Sequence, residues 1–361
     1  MIPAGLLPAL SSEFDIPAAQ VGLLVSVWSA TIIVSSLPVV RLAAGVDRRT
    51  FIVAALVVMA AANVVTALAP TFEVALGARV VGAIAHGAFW SIVMVYATSL
   101  VDQSIAGRTV ALVSAGASGA TVLGIPLGTL VGQVADWRLV FGGLAAVLAI
   151  VAVLIQHRLP KWPGAGPAAR GERRRDRSLP PVMAAAIACL LTAAASFTLF
   201  TYIAPYVTDV AGLPASSISP ILLAFGAAGI AGLVIAALTT DRWPVASLVV
   251  MSALFTAALA ALGIAPHHPT IVVVAVAAWG LAIGGLPAML QSRLLGVASP
   301  ALRATASALM VVFFNAGIAI GATLGGVLEL GAGLIAAAFA AAGLAALATA
   351  AVVISRLLAG R

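Results

Sequence analysis

Apolar residues in this chain come in long blocks separated by short polar breaks, and each block exceeds what a soluble core helix needs. About 20 such residues span the hydrocarbon of a bilayer. The blocks predict helices at 18–40, 50–69, 72–100, 109–134, 138–156, 181–208, 216–239, 244–264, 270–291, 302–328 and 332–355. That is eleven full spans, preceded by a short apolar piece at 2–10. In lipid every backbone N–H and C=O must be satisfied internally, so these blocks must be helical. The alternating pattern of a transmembrane β-barrel is absent.

Composition agrees with the pattern. The 361 residues are 63% hydrophobic and 8% charged, against roughly 45–50% and about 25% in a soluble domain. A formal charge of +7 raises nucleic acid as a partner, but the cations sit in short breaks between spans and form no basic face. The single cysteine, Cys189, lies in an apolar run, which excludes an internal disulfide and a cysteine-based zinc site and suits a small buried hydrophobe. No basic stretch precedes the first apolar piece, so no cleavable signal peptide is expected.

Charge also orients the chain. If the break after 18–40 is cytoplasmic, every Lys and Arg except Arg79 and Arg138 falls on that side. Glu13, Asp15, Glu73, Asp136, Asp209 and Glu329 fall on the other. Both termini are then cytoplasmic, in a plasma (inner) membrane. The one long polar segment, 158–180, reads as a cytoplasmic basic linker, with anionic lipid as a further partner.

The chain also repeats itself. Gly124-Ile-Pro126-Leu-Gly128 recurs as Gly317-Ile-Ala-Ile-Gly321 at an offset of 193, and Asp47-Arg48 recurs as Asp241-Arg242 at 194. Pro8 and Pro17 recur as Pro205 and Pro214 at 197. The expectation is an all-α membrane protein of two pseudo-symmetric six-helix halves, 1–157 and 181–361, which is the major facilitator architecture. The second half has 24 residues from Pro181 to Ala204 before its proline and the first has seven. Helix 1 is therefore expected to be short, about 10 residues or fewer, as from a misplaced start codon or a truncation.

Ionisable groups inside a bilayer are costly and mark function by default. Arg79 and His86 lie in one span on one helix face, with Trp90 four residues further on. They offer a cation, a titratable imidazole and an aromatic plate, and are the candidates for proton coupling. All eleven acids are expected in loops or at helix ends, leaving His86 as the visible proton carrier. Asn63, Phe197, Thr201, Tyr202, Trp279, Gln291 and Asn315, with Trp90, are the candidates for a substrate cavity, against structural bonding or packing. Glycines four apart at 124, 128 and 132 and at 317, 321 and 325 form smooth faces for helix crossing, and Pro126 can bend its helix. No nucleotide-binding loop, hydrolase triad or metal cluster is visible, so no cofactor and no enzyme activity are expected.

Arg79-Val-Val-Gly-Ala-Ile-Ala-His86-Gly87-Ala-Phe89-Trp90 resembles the fourth helix of sugar (arabinose-type) efflux transporters, a drug:proton antiporter branch of the major facilitator superfamily. Thr201-Tyr202-Ile-Ala-Pro205, Trp137-Arg138 and Phe314-Asn315-Ala-Gly317 extend the resemblance over essentially the whole chain. Three departures accompany it. The loop motif Gly45-Val-Asp47-Arg48-Arg49 is degenerate, Gly82 stands where drug exporters place a glutamine, and the first helix is cut. The resemblance implies a secondary exporter of a sugar, nucleoside or amphipathic drug, working by alternating access as a proton antiporter and acting as a monomer. A facilitative uniporter or importer is the alternative within transport. A non-transporting, truncated membrane protein is the alternative of another class.

Overall fold

The computed structural model describes residues 3–42, 45–102, 106–162, 178–240, 242–299 and 302–359. Helices form every apolar block. They are α1 (Pro3–Phe14), α2 (Ala18–Leu42), α3 (Arg48–Ala67), α4 (Phe72–Ser99), α5 (Ala106–Val134), α6 (Trp137–Arg158) and α7 (Leu179–Phe200), then the single turn α8 (Ile203–Pro205). They continue with α9 (Ile218–Thr239), α10 (Pro244–Ile264), α11 (Pro269–Val297), α12 (Arg303–Gly331) and α13 (Gly333–Ala359). Among the described residues ten helices are long and apolar enough to cross a membrane, and α5 adds the apolar stretch Leu123–Val134. This is an all-α membrane fold.

Three details differ from the pattern. First, α1 has 12 residues rather than ten or fewer, still well below the ~20 that a span needs. Second, the block at 181–208 is broken. The helix stops at Phe200, turns at Ile203–Pro205 and ends in a π-helical turn, Tyr206–Val210. Pro205 causes the break, because its ring opposes the carbonyl four residues back and it has no N–H to donate. Third, α12 runs past residue 328 to Gly331, which takes Glu329 into its last turn, at a helix end.

The corners show why the helices end where they do. Asp136 caps α6 by accepting from the Arg138 amide at 2.8 Å. Asp15 (φ 51°) and Gly212 (φ 66°) both adopt the left-handed conformation two residues before Pro17 and Pro214. The two corners thus repeat in backbone as well as in sequence, with Asp tolerating what Gly takes freely.

Two compact units result, one of Met1–Ser26, Thr121–Thr129 and Arg173–Arg361, the other of Val27–Ala120 and Leu130–Glu172. In the first, α7 is central, with 16 of its 22 residues buried and α12 and α13 packed on it. Gly317, Gly321 and Gly325 face the carbonyls of Leu190, Ala194 and Thr198, so two rows with the same spacing of four lie backbone to backbone. Gly229, Gly232, Gly280 and Gly284 do the same between α9 and α11. In the second unit α3 packs on α4 and α6 around Ile52, Leu56, Tyr96 and Ala152.

Candidate functional site

The row expected on α4 is present, and a residue of α2 completes it. The Arg79 guanidinium lies over the Trp28 ring, 3.8 Å from its centroid. The side chain is 9% exposed, and its buried Nε has no hydrogen-bond partner among the described residues. His86 meets the same tryptophan at 5.3 Å between ring centroids and Trp90 at 6.3 Å, edge-on. Phe89 closes the far side of Trp90 at 5.8 Å. Trp28 therefore touches both the cation and the imidazole, which follow one another at seven residues along α4.

Local sequence explains how this fits. A Cβ at Gly82 would stand 3.1 Å from the Trp28 ring and 3.4 Å from Ala62 Cβ. Glycine at 82 leaves the space through which Trp28 lies flat across α4. A cation over tryptophan gains about 0.5–1 kcal/mol exposed and about 2 or more when desolvated. No carboxylate pairs with Arg79 among the described residues, and a buried cation in a span is a candidate for function.

The cavity candidates divide by how their polar atoms are satisfied. Asn63 Nδ2 donates to Met59 O at 2.8 Å, Thr201 Oγ1 to Phe197 O at 2.9 Å and Asn315 Nδ2 to Val311 O at 3.0 Å. Each bonds to its own helix, as polar residues in spans commonly do. Phe197, Phe200, Phe225 and Trp279 form one aromatic group joining α7, α9 and α11. The Trp279 indole donates to Ser196 Oγ at 3.1 Å. Tyr202 is buried and donates to Ala322 O at 3.0 Å. Gln291 lies half-buried further along α11.

Among the conformational candidates, Asp47, Arg48 and Arg49 tie the start of α3 to the end of α6 and the segment after it, within the second unit. Asp47 caps α3 through the Thr50 amide at 2.9 Å and accepts from the Trp162 amide at 2.6 Å. Arg49 donates to Gln156 O at 3.2 Å and Leu159 O at 3.0 Å, and the Arg48 amide donates to Trp162 O at 2.9 Å. Slight burial raises the Asp47 carboxyl, but the bonds from Thr50 and Trp162 and the charge of Arg49 outweigh it and hold the pKa below the usual carboxylate range. Its stabilisation is therefore full above the unfolded pKa and lost as pH falls through the folded one. Asp47→Ala is expected to lower stability by about 1 kcal/mol, read by thermal unfolding in detergent, with Asp47→Asn losing less. Arg242 lies over Trp243 at 4.8 Å, and Asp241 lies outside the described residues. Gly124 has open space where a side chain would go, and the carbonyl of Pro126 accepts from Ser219 Oγ at 3.0 Å.

The structure is thus an all-α fold of membrane-length helices, with an arginine inside one of them that pairs with no carboxylate among the described residues. The chain belongs to the Major Facilitator Superfamily, whose family pattern it matches over residues 1–322. It is 31% identical over 339 residues to a chloramphenicol efflux pump of Mycobacterium tuberculosis, covering 91% of this chain and 81% of that one. It is 28% identical over 324 residues to a probable sugar efflux transporter of Mannheimia succiniciproducens, covering 90% and 81%. Among solved structures it resembles a nucleoside transporter, with a TM-score of 0.75 at 13% identity, covering 98% of this chain and 94% of that one. A bacterial homologue of the human lysosomal transporter Spinster, inward-facing and occupied, gives 0.72 at 18%, covering 98% and 92%.

Proposed function

We propose that this protein is a proton-driven exporter of a small solute in the plasma membrane, working by alternating access of the repeat halves 1–157 and 181–361. The observation that carries the reading is the Arg79–Trp28–His86 row, a buried cation with no carboxylate partner among the described residues beside a titratable ring. Arg79 and Trp28 offer charge and an aromatic face to an amphipathic or hydroxyl-rich solute, and His86 offers the proton site. The names of the relatives support a sugar or an amphipathic drug as the cargo. In this reading the termini and the 158–180 linker are cytoplasmic, and the face bearing Asp15, Asp209 and Glu329 looks outward.

Purified protein in liposomes tests it, with chloramphenicol and arabinose as probes. Antiport is expected to accumulate at least one of them when the interior is made more acidic, and a protonophore is expected to abolish the accumulation. Equilibration without accumulation would mark facilitated diffusion instead. No protein-dependent flux of either probe would overturn the reading.

A further inference from the structure

One long-range bond occurs twice in the chain, made by two different side chains. Near the end of α4 the Tyr96 hydroxyl donates to Pro160 O, just past α6, at 2.7 Å. Near the end of α11 Arg293 Nη2 donates to Ser355 O, in the last turns of α13, at 2.9 Å. Arg293 stands 197 residues after Tyr96, the offset that also relates Pro8 to Pro205 and Pro17 to Pro214. A neutral phenol is enough for this bond at Tyr96. The bond therefore does not account for the positive charge that Arg293 brings to the same position of the repeat.

The surroundings of Arg293 are fixed and basic. Ser355 Oγ donates to Pro181 O at 3.1 Å, which ties the accepting turn of α13 to the start of α7. Arg293 is half-buried, and its Nε is enclosed without a hydrogen-bond partner among the described residues. Arg356, the residue after the acceptor, is exposed. Two arginines thus meet where α11 and α13 end, and residues 290–297 and 352–359 include no acid. α10 packs on both helices. A Cβ at Gly263 would stand 2.9 Å from the Phe339 ring, so α10 runs against α13 and starts at this same end. That start carries Arg242, which lies over Trp243 at 4.8 Å. Large apolar side chains accompany the cations: Ile354 and Leu357, three apart on α13, are 49% and 63% exposed, and Trp243 is 53% exposed.

We propose that the joined ends of α11 and α13 bind the phosphate of an anionic phospholipid headgroup. Arg293 and Arg356 take the charge, and Ile354, Leu357 and Trp243 lie along the acyl chains. A planar guanidinium presents parallel donors that match phosphate oxygens, and basic pockets between membrane helices hold such headgroups. The exposed apolar residues decide for lipid over free phosphate, because a soluble anion gains nothing by covering them. A cation also suits the last turns of a helix, whose carbonyls lack partners. That role is read in stability, whereas a headgroup site is read in lipid affinity. The inference goes beyond the export reading and stands without it.

The full chain in detergent is titrated with phosphatidylglycerol and, separately, with phosphatidylcholine, and bound lipid is counted by native mass spectrometry. A single phosphatidylglycerol is expected to bind ahead of any other and more tightly than phosphatidylcholine. Arg293→Tyr, which supplies the donor found at Tyr96, is expected to weaken that binding about five- to tenfold while keeping the thermal midpoint. Arg356→Gln is expected to weaken it as well, Arg293→Lys to weaken it less than Arg293→Tyr, and Arg158→Gln, at the end of α6, to leave it unchanged. Equal affinity for the two lipids, unchanged phosphatidylglycerol binding in Arg293→Tyr, or an equal loss in Arg158→Gln would each overturn the site. Displacement of the lipid by millimolar inorganic phosphate would overturn it too, by making free phosphate the ligand. If Arg293→Tyr does not fold, Arg356→Gln decides, since that side chain is exposed, and unchanged binding there is fatal.

Discussion

His86→Leu is expected to reduce gradient-driven efflux to the background of empty liposomes while leaving substrate exchange at equal pH within about two-fold, a cost under about 0.5 kcal/mol. The imidazole makes ring contacts to Trp28 and Trp90 and no hydrogen bond among the described residues. Leucine keeps an apolar group in that space and removes only the titratable ring. Exchange needs the chain to bind and reorient with solute, whereas uphill export also needs the proton. The measurement is paired: accumulation under an imposed pH gradient, and counterflow without one. Loss of both would make His86 a solute contact or a packing residue. Retention of both would return the coupling role to another titratable group, with Glu329 first in line.

Gly317→Leu is expected to destabilise the fold by more than about 3 kcal/mol, at or above the usual range for overpacking. Its repeat mate Gly124→Leu is expected to change stability by less than about 0.5 kcal/mol. A Cβ at 317 would run into the Leu190 carbonyl, with Ala193 Cβ at 2.7 Å and the Ala194 amide at 3.0 Å. None of these can move without parting α7 from α12. At 124 nothing among the described residues lies within 4 Å. Thermal unfolding in detergent, followed by tryptophan fluorescence, separates the two. Equal midpoints would contradict the backbone contact between α7 and α12.

Much of this was readable without a structure. Arg79, His86 and Trp90 follow from helical spacing alone, because residues seven and four apart share a face whatever lies opposite. Trp28 does not. It lies on another helix, and nothing in its own span distinguishes it from a packing residue. The one trace it leaves is Gly82, a small residue where related exporters carry a glutamine. The end of α12 differs for another reason: hydropathy ends a span where a charge appears, while the helix continues as long as its backbone bonds do, here to Gly331 and not 328.

What the sequence by itself determined is the part that local chemistry enforces. Apolar blocks of membrane length must be helices because lipid offers their backbones no other partner. Cations gather in the breaks between blocks, prolines place the corners, and short motifs recur at offsets of 193 to 197. The tertiary structure alone decided which polar groups are spent and which are free. Asn63, Thr201 and Asn315 are satisfied by a carbonyl one turn back, a bond their sequence permits but does not compel. Arg79 Nε and Glu329 Oε2 are left without hydrogen-bond partners among the described residues. Gly124 and Gly317 carry the same motif, yet only Gly317 meets a neighbouring backbone. The cause is the same in each case. Whether a side chain is paired, packed or open depends on the helix that arrives beside it from far along the chain, and residue spacing within one helix holds no record of that neighbour.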